Sequence, residues 1–144
     1  IHPVTREIIL GAGKYSAGDF IEGLYRLKEL HKLISKLLDG VDVMVVPTAG
    51  TIYGVKEVEA DPISLNANMG YYTNFVNLLD LAAIAVPNGF LSNGSAMGIT
   101  LIGPAFSDSY LAGLGDAFCC RRVDRLGATD TPIPEPVERE LATR

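Results

Sequence analysis

"AAIAVPNGFLSNGSAMGITLIGP", residues 82–104, sets two apolar runs around a centre marked by glycine and asparagine. "AAIAVP" (82–87) and "MGITLIGP" (97–104) are short runs of the kind that form buried strands. "NGFLSNGSA" joins them, and within it Asn93-Gly94 is the strongest short hairpin signal, because both residues tolerate positive φ. The same stretch offers Ser95 as a nucleophile. A nucleophile elbow needs Gly-x-Ser-x-Gly on a strand-to-helix turn, whereas Gly94-Ser95-Ala96-Met97-Gly98 is spaced differently and leads into a strand. A serine also needs a base. His2 precedes a helix and His31 falls on an apolar helix face, so Ser95 reads as a turn residue.

Working outward, "VDVMVVP" (41–47) is a β-branched run ended by proline and reads as a third buried strand. Upstream, Pro3 suits a first helical turn, and "PVTREIILGAG" closes on helix-stopping glycines. "SAGD" then opens a longer helix with a capping box between Ser16 and Asp19. Phe20, Leu24, Leu27, His31, Ile34 and Leu38 share one face, widened by Leu30, Leu33 and Leu37. Glu22 stands four residues before Arg26, the favourable order for an ion pair, and Gly40 ends the helix.

Residues 48–62 read as a long polar loop, and "ISLNANMGYYTNFVNLLDL" as short helical turns. A last helix starts at Ser107, with Tyr110, Leu111, Leu114, Ala117, Phe118 and Val123 as its apolar stripe. Residues 1–127 are expected to form the folded portion, and 128–144, alternating proline with charge, a linker or disordered tail.

Composition narrows the function. The 144 residues are 48% hydrophobic and carry a net charge of −5, which lacks the basic footprint that nucleic acid requires. No apolar run approaches the roughly 20 residues of a membrane span, and no signal peptide is seen. Adjacent Cys119 and Cys120 read as reduced, apolar helix residues, which fits a cytoplasmic protein. No metal set stands out, since His31 has no second ligand within a turn, and Glu57, Glu59 and Asp61 read as a solvated loop face. "GAGKYS" lacks the spacing of a phosphate loop. The opening "IHPVTRE", without an initiator methionine, is expected to have been cut from something longer.

The stretches "DVMVVPTAGTIYGVKEVEADPISLNANMGYYTNFVNLLDLAAIAVPNGF" and "MGITLIGPAFSD" resemble the C-terminal half of the amidase-signature family. Pro47-Thr48, Thr73, Asn77-Leu78, Pro87, Gly89 and Gly98 occupy the places of its pattern. "YTNFVNLLDLAAIAVP" and "HPVTREI…YSAGDFIEGLYRL" are similar, more narrowly, to the amidase part of allophanate hydrolases, the urea amidolyase branch. The resemblance runs from about residue 2 to residue 126.

Helix–strand–helix alternation with an antiparallel hairpin points to an α/β fold with a mixed β-sheet covered by helices, and the resemblance makes it the C-terminal part of an amidase-signature domain. It implies amide hydrolysis by a Ser–cis-Ser–Lys triad lying in the N-terminal half, with no metal or organic cofactor. The lysines here (Lys14, Lys28, Lys32, Lys36 and Lys56) do not stand in the expected setting, and the substrate anchors precede "IHPVTRE", so no catalytic residue is assigned. The candidate pocket residues are Thr48, Tyr53, Thr73, Asn74 and Asn77. The expected partners are the N-terminal half carrying the triad and a small amide substrate, allophanate. Unpaired strand edges would also invite a homo-oligomer. The competing readings are a non-catalytic structural or interaction fragment, and another amidase-signature enzyme such as part of a glutamyl-tRNA amidotransferase.

Overall fold

A computed structural model describes residues 1–122, 125, 127 and 129–132. Helix α1 (Pro3–Gly11) has proline in its first turn, where the missing N–H costs nothing, and it runs into a 3₁₀ turn at Ala12–Lys14. The capping box then forms as the sequence predicts. Ser16 Oγ accepts from the Asp19 N–H at 3.2 Å, and Asp19 Oδ2 accepts from the Ser16 N–H at 2.8 Å. Helix α2 follows (Ala17–Leu37), and Gly40, at φ 76°, takes the left-handed turn that ends it.

Three strands, β1 (Met44–Pro47), β2 (Leu81–Phe90) and β3 (Ala96–Pro104), form one sheet in the order β1-β3-β2. Both ladders are antiparallel, so the sheet expected to be mixed has no parallel pair among the described residues. With β3 in the centre, the prolines inside β1 and β2, Pro47 and Pro87, fall on outer strands, where a missing ladder donor is tolerated. Leu101 and Ile102 are both buried although strand alternation sends them to opposite faces, so the sheet is covered on both sides at this level.

Helix α6 (Asp108–Arg122) supplies one cover. Its Leu111 is fully buried against Ala82 and Leu101, with Val43, Ile84, Ile99, Tyr110 and Leu114 packed around them. The predicted stripe shifts in one respect: Ala117 is exposed and Gly115 is buried. Val123 of that stripe lies outside the described residues. Ser107 stands just before α6, where its carbonyl accepts from the Leu111 N–H at 2.9 Å and its hydroxyl donates to the Pro104 carbonyl at 2.6 Å.

The stretch 48–62, expected to be loop, contains a further helix, α3 (Val55–Ala60). Glu57 Oε2 accepts from the Gly54 N–H and closes the first turn, while Asp61 caps α4 (Pro62–Met69) by accepting from the Ser64 N–H at 3.2 Å. Two of the three loop acids are therefore helix caps. Helix α5 (Phe75–Leu78) follows and packs on β2, contributing buried Val76.

The hairpin tip differs from the two-residue turn that Asn93-Gly94 suggests. Leu91 N–H donates to the Ser95 carbonyl at 2.8 Å and Gly94 N–H to the Leu91 carbonyl at 2.9 Å, enclosing three residues. Only Gly94 takes positive φ, 82°, while Asn93 Oδ1 accepts from the Ser95 N–H at 3.0 Å. This is the three-residue hairpin that ends in a left-handed glycine. Lower down, β2 has one residue more than β3 between the Pro87–Gly98 and Phe90–Ala96 pairs, a bulge at which Gly89 adopts φ 94°.

Helix α2 is amphipathic as expected, yet none of its residues is buried. Phe20 and Leu37 are each 64% exposed, and His31, Leu24, Leu30 and Leu33 are also exposed. Arg26 finds its carboxylate on Glu29, in the turn after it, at 2.9 Å, and not on the predicted Glu22 in the turn before. Of the expected tail, residues 129–132 are described, with an isolated antiparallel bridge between Arg125 and Pro132; residues 128 and 133–144 lie outside the described residues.

Candidate functional site

The chain leaves β1 at Pro47 and runs through Thr48, Ala49, Gly50, Thr51 and Ile52, which form one wall of a cavity of about 720 Å³. The opposite wall comes from the β2–β3 hairpin, including Val86, Pro87, Phe90, Leu91 and Met97. The bulge at Gly89 shifts the strand phase inside this wall. The volume lies in the range of small-molecule clefts. The walls are mostly apolar, with Thr48 and Thr51 as the hydroxyl-bearing side chains and no charged side chain among the described residues that border them.

Thr48 is fixed from two directions. Its N–H donates to the Gly98 carbonyl at 3.1 Å, which adds one rung to the β1–β3 ladder. Its Oγ1 lies 2.9 Å from Oγ1 of Thr100, a residue only 4% exposed. Gly98 leaves the room this needs: a β-carbon there would sit 3.0 Å from Thr48 Oγ1 and 3.3 Å from the Val86 carbonyl oxygen.

The other candidates do not border the cavity. Tyr53 follows the wall directly, half-buried, and its hydroxyl accepts from Asn68 Nδ2 at 3.3 Å. Thr73 and Asn74 both donate their N–H groups to the Gly70 carbonyl, at 3.0 and 2.8 Å, and the Asn74 amide lies over Gly70. Asn77 is exposed on α5. The structure thus groups Thr73, Asn74 and Asn77 at the entry to α5 and places Thr48 and Tyr53 on the loop after β1. Sequence reasoning missed the hairpin side of the cavity and Thr100. The available signal was a lone hydroxyl in the aliphatic run "ITLI".

Electrostatics add little at this place. Among the described residues no group of three or more His, Cys, Asp or Glu is arranged to hold a metal ion, and no helix is long and apolar enough to cross a membrane. Asp19 is held below the usual carboxylate range by hydrogen bonds from the Ser16 hydroxyl and N–H. Burial, with Cys120 and Asp116 nearby, pushes the Cys119 thiol up. Lys14, from the phosphate-loop-like stretch, rests its ammonium 5.0 Å from the centre of the Tyr15 ring. What the described residues offer at the cavity is a shaped wall with hydroxyls.

Fold, cavity and sequence patterns meet in one family. The family model described as Amidase matches residues 2–111, and the chain belongs to that family. It is 42% identical over 118 residues to the urea amidolyase of Saccharomyces cerevisiae (strain ATCC 204508 / S288c), a match covering 82% of this chain and 6% of that protein. It superposes on Kluyveromyces lactis allophanate hydrolase with a TM-score of 0.83 at 38% identity, covering 92% of this chain and 22% of that one. To the A component of the glutamyl-tRNA(Gln) amidotransferase of Ligilactobacillus salivarius (strain UCC118) it is 34% identical over 120 residues, covering 80% of this chain and 24% of that protein. The chain is a segment of an allophanate hydrolase-like amidase, and it spans less than a quarter of each of these relatives.

Proposed function

We propose that this chain is the wall-forming C-terminal part of an amide hydrolase acting on allophanate, in the cytoplasmic breakdown of urea for nitrogen. The Ser–cis-Ser–Lys triad comes from an N-terminal partner region. The observation that carries the proposal is the match to the urea amidolyase branch, at 42% identity against 34% for the amidotransferase component.

The chain's role in the reaction is binding and shaping. The loop 48–52 and the hairpin form one side of a cleft, and the partner region completes the other with its triad and oxyanion donors. Thr48 gives the ligand a hydroxyl, and the aliphatic walls keep water away from the acyl centre. Thr73, Asn74 and Asn77, at the entry to α5, and Tyr53 on the neighbouring loop are the further pocket candidates.

The same proposal accounts for the bare apolar surface. Helix α2 presents Phe20, Leu24, Leu33 and Leu37 uncovered, and Phe106, 97% exposed, stands between β3 and α6. An apolar stripe of this extent marks an interaction surface, and the partner region of the amidase domain is the body that covers it.

The test is ammonia release from allophanate by this chain alone and after co-expression with the N-terminal region of an allophanate hydrolase. Activity only in the assembled pair is the expected result. Activity in the lone chain overturns the division of labour. An assembled pair that spares allophanate but hydrolyses glutamine favours the amidotransferase reading. A stable pair inert toward both favours a structural fragment.

A further inference from the structure

Thr100 is the one polar side chain among the buried described residues, set in the central strand between Ile99 and Leu101. Valine has nearly the same shape and would fill that position without a hydroxyl to desolvate. Burying a hydroxyl costs free energy unless it is hydrogen-bonded, and here the bond is made to Thr48 Oγ1 at 2.9 Å. Among the described residues no buried side-chain nitrogen or oxygen lacks a partner.

We infer that Thr100 is a positioning residue: through its hydroxyl it fixes the Thr48 side chain, and with it the start of the loop that walls the cavity. This rests on the proposal that the cavity belongs to an amide-hydrolase site. The register supports the link. Thr48 lies opposite Gly98 by its N–H bond, so Thr100 is its diagonal neighbour on the same face of the sheet. The glycine leaves space for the Thr48 hydroxyl to reach across, as the 3.0 Å separation of a would-be β-carbon shows. A hydroxyl has one donor and two acceptor sites. With one of these committed to Thr100, the direction of Thr48's remaining capacity toward a ligand is set from inside the sheet. The hydroxyl of Thr100 itself does not reach the cavity lining.

The test compares Thr100→Val and Thr100→Ser. In the 144-residue chain, amide hydrogen exchange at Thr48 should speed up by about tenfold in Thr100→Val and stay near the native rate in Thr100→Ser. In the assembled amidase domain, Thr100→Val should raise KM for allophanate by about threefold or more with a smaller change in kcat, and Thr100→Ser should restore it. Native exchange at Thr48 in Thr100→Val overturns the inference. So does a serine variant as impaired as the valine one, since then packing and not the hydroxyl matters. Should Thr100→Val fail to fold, Thr48→Val, at a half-exposed position, must show the same faster exchange at residue 48, and its absence is equally decisive. If the native assembled domain does not hydrolyse allophanate, the functional proposal fails while the exchange measurement still judges Thr100.

Discussion

Gly115 of α6 lies so close to Val86 of β2 that a β-carbon on the glycine would stand 3.0 Å from Val86 Cγ1 and 3.4 Å from Ile84 Cδ1. The helix reaches the sheet here at a residue without a side chain. Alanine gains about 1 kcal/mol of helix propensity over glycine, whereas overpacking a fitted core costs about 1–3 kcal/mol. Gly115→Ala should therefore lose up to about 2 kcal/mol in urea unfolding, and Gly115→Val more, because branching directs a second methyl at the strand. An unchanged midpoint for both would mean that α6 does not seat on β2 as described.

Leu111→Ala removes the fully buried side chain that meets Ala82 and Leu101. A loss of about 2–5 kcal/mol is expected, the upper part of that range if the surrounding side chains cannot close the space. Denaturant midpoints of the chain measure it directly.

Phe106 adopts φ 65° while 97% exposed, so it bears a left-handed backbone without burying its ring. Phe106→Gly relieves that backbone and should stabilise the lone chain by about 0.5–1 kcal/mol. Affinity for the partner region should fall in the same variant if the ring is an anchor in the assembled domain. Thermal melts of the chain and titration of the two parts read the two effects separately.

Asp19 supplies the pH dependence. Its folded-state pKa lies below the unfolded carboxyl value, so its contribution is complete above that value and is lost as pH falls through the folded pKa. Helical circular dichroism should decline in acid more steeply in the native chain than in Asp19→Asn, which has already lost the charge. Parallel curves would remove the Ser16–Asp19 cap from the account of α2.

Cys119 should alkylate slowly at neutral pH, since burial raises its thiol pKa and lowers the thiolate fraction. Its reaction rate with iodoacetamide, followed by peptide mass spectrometry, should still be climbing past pH 9. A plateau below pH 8 would contradict the half-buried setting of this thiol.

Local chemistry was the part of this molecule written most plainly in its sequence. The Ser16–Asp19 box, the proline at the start of α1 and the glycine of the hairpin tip each act within a few residues, and each forms. Helix α3 was hidden because Val55 and Val58 give little periodicity, and its first turn is closed by Glu57, an acid that reads as solvated. The Ala117-for-Gly115 error has a related cause: hydropathy rewards an apolar side chain, whereas α6 needed none at its closest approach. At the cavity, the place of Thr48 on the loop after Pro47 could be read from the chain, but its tie to Thr100 could not. Its partner is 52 positions away, and only the strand register brings the two hydroxyls together.

The outer strands, β1 ending on Pro47 and β2 holding Pro87 within it, carry one more consequence. A strand from another molecule that tried to extend this sheet into a fibril would meet, on either flank, a rung with no N–H to give. Sticking of the lone chain should therefore proceed through the bare side of α2, as reversible clumping that mild detergent disperses, and not through cross-β growth that seeds itself.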